Sequence, residues 1–152
     1  MKRAAIVGCG YIAGKADIIS KRPQIFTHAK AIQNIDGLEL VACCDSDNEV
    51  LSEFVLTWDV PRKYTNLEEM LEKEKIDIFI IASPTEFHHE HVLMGLKYDV
   101  GAIFCEKPVS DDFIKALELQ RIAKNAKKII AINFMRRWDD FYINCKKILE
   151  SG

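Results

Sequence analysis

A short apolar run, Ala102 to Cys105, ends in Glu106-Lys107-Pro108. A buried strand would deliver that charged pair to one edge of a sheet, with proline fixing the turn. A lysine there can hydrogen-bond a substrate hydroxyl and hold negative charge as the proton leaves. The glutamate beside it could pair with it. A surface ion pair is the plain alternative for any Glu-Lys dipeptide, but the position directly after a core strand weighs against it. A second stretch, Arg3 to Gly14 (RAAIVGCGYIAG), joins apolar residues to a glycine turn and the start of a helix. Gly8 lets the chain turn sharply, and Gly10 leaves no side chain between the backbone and a pyrophosphate. Tyr11 and Ile12 open the helix, whose free N–H groups and dipole favour a phosphate. Ala13 fills the third small-residue place of a dinucleotide fingerprint, although Gly14 follows and allows a slip of one. Cys9 reads as a small side chain tolerated beside the ligand.

Asp45 follows a third apolar run, where a carboxylate can bind both ribose hydroxyls of an adenosine and repel a 2′-phosphate. This favours NAD over NADP. Its distance from the glycines exceeds the usual ~20 residues, and an insertion over residues 14–27 accounts for the excess. Asp47 could share the role. His88, His89 and His91 with Glu90 lack the third ligand and the dry cavity that a catalytic zinc needs, so no metal is expected. Arg136-Arg137-Trp138 offers an anion site, or a helix start whose arginines pair with Asp139 or Asp140.

These groups need elements to place them. Strand-length runs alternate with segments of helical period. The strands read as Ala4 to Val7, Leu38 to Cys44, Lys63 to Thr65, Ile76 to Ala82, Ala102 to Cys105, and Ile129 to Phe134. Lys15, Lys21, Arg22 and Pro23 interrupt the first helical segment, which suggests an insertion or lid, with the helix resuming near Thr27 and running to about Asn34. Ser46 with Glu49 forms a capping box ahead of a helix burying Leu51, Phe54, Val55 and Trp58. Asn66 caps a helix through Lys73. Further helices run from Phe87 to Tyr98, from Ser110 to about Lys127, and through the amphipathic segment from Trp138 to Leu149. Six such alternations predict a doubly wound parallel α/β sheet, Rossmann-like, with helices on both faces and ligands at the strands' carboxyl ends.

Composition agrees with one globular domain. The chain has 152 residues, 49% hydrophobic and 29% charged, with a net charge of −2. No basic excess supports nucleic-acid or membrane binding. No apolar run approaches the ~20 residues of a bilayer span. Five cysteines without a C-x-x-C pair suit buried thiols in a reducing compartment, the cytoplasm.

GCGYIAG, Asp45, SPTEFHHEH, Glu106-Lys107-Pro108 and NFMRRW, in this order, resemble the Gfo/Idh/MocA oxidoreductases over the full chain. The resemblance implies an NAD(P)-dependent sugar or cyclitol dehydrogenase. It places Lys107 near the nicotinamide and the reacting hydroxyl, with Glu106 beside the nicotinamide ribose. Ser83, Pro84 and His88 match the family's Ser/Thr-Pro-x-x-x-His stretch, which lines the cofactor. Arg136 and Arg137 match its paired arginines. The Lys107–Pro108 bond is expected to be cis. Members of the family continue into a second domain that supplies substrate contacts and much of the oligomer interface. The expectation is therefore a dinucleotide-binding domain over residues 1–152. It would be inactive alone, with a sugar substrate and a homo-oligomer belonging to a longer parent. A non-catalytic NAD-sensing or partner-binding protein on this scaffold is the alternative. An S-adenosylmethionine-dependent methyltransferase also pairs a glycine turn with an acid, but gives no reason for Glu106-Lys107-Pro108.

Overall fold

The computed structural model describes residues 1–20 and 24–151. Six strands form one all-parallel sheet in the order β3-β2-β1-β4-β5-β6. They are β1 (Lys2–Val7), β2 (Leu38–Cys44), β3 (Arg62–Tyr64), β4 (Ile78–Ile81), β5 (Ala102–Glu106) and β6 (Ile129–Asn133). The helices are α1 (Ala16–Ser20), α2 (His28–Gln33), α3 (Asn48–Trp58), α4 (Leu67–Lys73), α5 (His88–Lys97), α6 (Phe113–Ala126) and α7 (Asp140–Ser151). The strand order reverses between β1 and β4, which makes a crevice at their carboxyl ends.

The sheet is covered on both faces, and so its central strands are apolar almost throughout. Ala4, Ile6, Cys43 and Ile80 pack on one side against Ala29, Ile32, Leu51 and Phe54 of α2 and α3. Val7, Val41, Phe79 and Ile103 pack on the other against Met70, Leu71, Val92 and Leu119 of α4, α5 and α6. This is the doubly wound arrangement that the alternation predicts.

Register then sets the functional edge. Cys44 lies beside Val7, Val7 beside Ile81, Ile81 beside Cys105, and Glu106 beside Asn133. The next residue of each strand therefore falls in one row: Asp45, Gly8, Ala82, Glu106 and Asn133. Gly8 turns there with φ of 85°. A Cβ on Gly8 would stand 2.4 Å from Ser83 N and 2.6 Å from the Ala82 carbonyl carbon.

Several boundaries differ from the sequence expectation. Ser46 is not the cap of α3; Asp47 is, accepting from the Glu49 and Val50 amides at 2.8 and 3.2 Å. The cause is Asp45, whose Oδ1 accepts the Asp47 amide and draws the turn one residue further. Similarly, Asp112 rather than Ser110 caps α6. β4 is shorter than Ile76 to Ala82, and β3 begins a residue earlier and ends at Tyr64. Asn66 caps α4 as expected, accepting from Glu69 N at 3.0 Å. Leu51 and Phe54 are buried on α3, but Val55 and Trp58 only in part. Trp138 precedes α7, and α7 itself buries no residue. Of the expected insertion, Lys21, Arg22 and Pro23 lie outside the described residues. The helix resumes where expected, with Thr27 capping α2.

Candidate functional site

A cleft of about 640 Å³ opens at the carboxyl ends of β1, β2 and β4. Gly8, Gly10, Tyr11, Ile12, Asp45, Ser83 and Pro84 line it, together with Ser46, Thr65, Phe87 and His91. Gly10 precedes a π-helical turn, Tyr11–Lys15, that leads into α1 without a side-chain cap. The amides that open this turn come before any intrahelical acceptor. A Cβ on Gly10 would meet nothing within 4 Å, so its small size is not demanded by the protein's own packing. Gly14 is different: a Cβ there would fall 2.2 Å from Trp58 Nε1 and 2.8 Å from Phe54 Cε2. Ala13 is fully buried. The fingerprint's third place, where a small residue lets the helix pack closely, is thus spread over Ala13 and Gly14.

Cys9 does not face the cleft. It is buried, with Sγ 3.7 Å from the Cys44 carbonyl, and the neighbouring Cys43 thiol, followed by burial, pushes its own thiol far above the ordinary range. Its amide has the more useful role, donating to Asp45 Oδ2 at 2.8 Å. Asp45 thereby ties the glycine turn of β1 to the end of β2, while still lining the cleft.

The histidine run divides three ways. His88 is buried and does not line the cleft. Its Nδ1 lies 2.6 Å from the Pro108 carbonyl and its Nε2 2.8 Å from the Ser83 carbonyl. It holds the loops after β4 and β5 together. His89 reaches Glu118 on α6 at 3.1 Å. His91 is the cleft residue that the motif did not single out. It stacks on Phe87 with ring centroids 5.9 Å apart, and its Nδ1 is 2.9 Å from Ser83 Oγ. Burial, and then the nearby His88, push its pKa down to about 4. Period alone could have found it, since His91 follows His88 by one helical turn.

Glu106 and Lys107 lie beyond this cleft, two strands along the same edge. They do not pair with each other. Glu106 is buried, and its Oε1 accepts from His28 Nε2 at 2.8 Å and Asn133 Nδ2 at 2.6 Å. Burial pushes its pKa up, but the bonds from His28, Asn133 and the Lys107 amide outweigh that and hold it below the ordinary carboxylate value. Lys107 is exposed and, among the described residues, makes no ion pair. The Glu106 carboxylate is taken up by His28 and Asn133, while Lys107 follows the end of β5 and is left exposed. The Lys107–Pro108 peptide is cis. Arg136 donates to Tyr142 Oη at 2.7 Å and sits over its ring, rather than pairing with Asp139 or Asp140.

Sequence reasoning missed His28. It opens α2, 78 positions before its partner Glu106, and only the fold brings the two together.

This combination defines a dinucleotide-binding Rossmann domain: six parallel strands, a glycine turn at the switch point, a carboxylate after β2, and Glu106 with Lys107 at the end of β5. The chain belongs to the Gfo/Idh/MocA oxidoreductase family with an NAD-binding Rossmann fold, whose model matches residues 2–134. It is similar to the D-glucoside 3-dehydrogenase of Escherichia coli, at 32% identity over 90% of this chain and 35% of the relative. Among solved structures it resembles myo-inositol 2-dehydrogenase of Lactobacillus plantarum, with a TM-score of 0.82 and 34% identity over 99% of this chain and 41% of that one. It also resembles scyllo-inositol dehydrogenase of Lactobacillus casei with bound NAD(H) and scyllo-inositol, with a TM-score of 0.84 and 25% identity over 100% and 42% of the two chains. The chain thus spans about two fifths of the length of these relatives.

Proposed function

We propose that this chain binds NAD along its carboxyl edge, within a dehydrogenase that acts on a secondary hydroxyl of a sugar, nucleotide sugar or cyclitol. One observation carries the proposal: the edge row places Asp45 and Glu106 three strand spacings apart, about 14 Å, with an open glycine between them. That span suits an extended ligand with a polar group at each end. The residues fit NAD. Asp45 would take the adenosine ribose hydroxyls and disfavour a 2′-phosphate, Gly10 with the Tyr11 and Ile12 amides would take the pyrophosphate, and Ser83 and Pro84 would flank its middle. The β4–β6 half, with Glu106, would take the second nucleotide. NAD, when bound, supplies the nicotinamide that exchanges hydride with the substrate carbon.

The protein's own part in the chemistry falls to Lys107. Glu106 is committed to His28 and Asn133, so the exposed Lys107 ammonium remains available to a ligand. It donates to the substrate oxygen and stabilises negative charge there as the hydroxyl proton leaves. His88 supports this arrangement from below, by fixing the Pro108 carbonyl.

The relatives named above act on glucosides and inositols, which supports a polyhydroxylated ring as substrate. Ile129, Phe134, Trp138 and Phe141 are exposed along β6 and α7. They fit a face covered in the working enzyme by a further domain or a second copy. No helix among the described residues is long and apolar enough to cross a membrane. Five free cysteines, four of them buried, support a reducing compartment such as the cytoplasm. Titration of the chain with NADH, followed by nicotinamide fluorescence, tests the proposal. Saturable binding is expected, and absence of binding at millimolar NADH would overturn it.

A further inference from the structure

We propose that His28 is a positioning residue for the nicotinamide half of the site, held in place by a buried anchor at Asp17. The inference rests on the dinucleotide reading above and assigns a role to the segment that follows the glycine turn.

The anchor comes first. Asp17 on α1 is buried. Its carboxylate accepts from the Thr27 amide at 2.8 Å, from Thr27 Oγ1 at 2.7 Å, and from the Phe26 amide at 3.1 Å. Lys30 Nζ lies 3.7 Å away. Burial pushes the Asp17 pKa up, but the bonds from Thr27 and Phe26, with the Lys30 charge, outweigh it and hold the carboxyl below its ordinary value. Thr27 Oγ1 in turn accepts the Lys30 amide and caps α2. One carboxylate therefore fixes where α2 begins, and His28 is its first residue.

The aim of His28 follows. Phe104 and Glu106 are two apart on β5 and share one face of the sheet. The His28 ring meets Phe104 edge-on at 5.6 Å, and Nε2 donates to Glu106 Oε1. Asn133 donates to the same oxygen from β6. Two donors from different elements, α2 and β6, hold that oxygen and set the orientation of the carboxylate. His28 touches neither the cleft nor Lys107. It acts through Glu106, and so its effect belongs to the β5 end of the edge and not to the Asp45 end.

That polarity gives a test with a control. Binding of NADH and of ADP to the chain is compared by titration. ADP carries the adenosine and the diphosphate but lacks the nicotinamide and its ribose. Two amide variants differ by one methylene: His28→Gln can reach Glu106 with its Nε2, whereas His28→Asn falls short. His28→Asn is expected to weaken NADH about tenfold, the worth of one hydrogen bond to a charged group, and to leave ADP within about twofold. His28→Gln is expected to stay within about threefold of the parent for both. Equal loss of NADH and ADP would mark a general structural effect and overturn the proposal, as would NADH binding unchanged in His28→Asn. A measurement on the unaltered chain does not depend on either variant folding. The His28 ring 15N signals should shift on saturation with NADH and not with ADP, and the absence of that difference also overturns the proposal. An unaltered chain that binds neither ligand overturns the dinucleotide reading itself, a result distinct from loss of the NADH and ADP contrast.

Discussion

Replacing each glycine of the turn by alanine should separate folding from binding. At Gly8 the backbone has φ of 85°, and the new Cβ would stand 2.4 Å from Ser83 N and 2.6 Å from the Ala82 carbonyl. Left-handed backbone costs an alanine about 1–2 kcal/mol. The crowded atoms are main chain of the neighbouring strand end and cannot rotate away, which adds about 1–3 kcal/mol of overpacking. Gly8→Ala should therefore lose about 2–5 kcal/mol. At about 2–4 °C per kcal/mol for a domain of this size, Tm should fall by about 4–20 °C. At Gly10, φ is −80° and a Cβ meets nothing within 4 Å. Gly10→Ala should keep its stability within about 1 kcal/mol. Its methyl group would nevertheless occupy the place of a ligand's phosphate and cost one or two charge-assisted hydrogen bonds, about 10–100-fold in the Kd for NADH. Thermal melts by circular dichroism and NADH titrations report the two effects independently. A Gly10→Ala chain that binds NADH like the parent refutes the pyrophosphate assignment. A Gly8→Ala chain with an unchanged Tm refutes the close approach of the Gly8 turn to Ala82 and Ser83.

Lys107→Ala should leave both the melting curve and the NADH Kd nearly unchanged, since the side chain is exposed. In an oxidation assay of the proposed dehydrogenase with a polyhydroxylated ring substrate, Lys107→Ala should reduce kcat severely, and an undiminished kcat removes Lys107 from the proposed chemistry. Asp45→Ala should weaken NADH by about 10–100-fold and narrow the preference over NADPH; equal losses for both cofactors would show that Asp45 acts only through the turn it ties to Cys9. Acid should destabilise the fold in a defined window. His91 is held at about 4 against an ordinary value of 6.5, so the unfolded chain binds a proton that the folded chain refuses. Stability therefore falls as pH drops from about 6.5 towards 4, by up to about 3 kcal/mol. The depressed carboxyls of Asp17 and Glu106 lose their contribution only at lower pH. Urea unfolding at pH 7.5, 6 and 5 should show the slope, and His91→Gln should flatten it; an unchanged slope in that variant assigns the loss elsewhere.

The edge of the sheet was legible in the sequence because it depends on order along the chain. A polar residue directly after an apolar run falls at a strand end, which is enough to place Gly8, Asp45, Ser83 and Glu106. Partners were not legible, because they depend on faces and on distance through space. Glu106 and Lys107 look like a pair in sequence, but His28 and Asn133 take up the Glu106 carboxylate, and Lys107, past the end of β5, is left exposed. Ser46 and Glu49 have the spacing of a capping box, but Asp45 already holds the Asp47 amide and moves the cap by one residue. His88 carries the motif's position and is sealed beneath the loops, whereas His91, one helical turn later, reaches the cleft.

The two carboxylates of the edge row differ in a way that bears on their work. Asp45 accepts two backbone amides, one from Asp47 two residues on and one from Cys9 in the glycine turn after the adjacent strand β1. It orders the turn and still faces the open cleft. Glu106 accepts from two side chains, one on α2 and one on β6. Its orientation depends on how two separate elements sit against β5. A carboxylate tied to the main chain of two directly paired strands keeps its place if helix packing shifts; one clamped by side chains from a helix and a further strand registers such shifts directly. The Asp45 end should therefore tolerate changes in helix packing elsewhere in the domain. The β5 end should respond to substitutions as remote as Asp17, which does not line the cleft but decides where His28 stands.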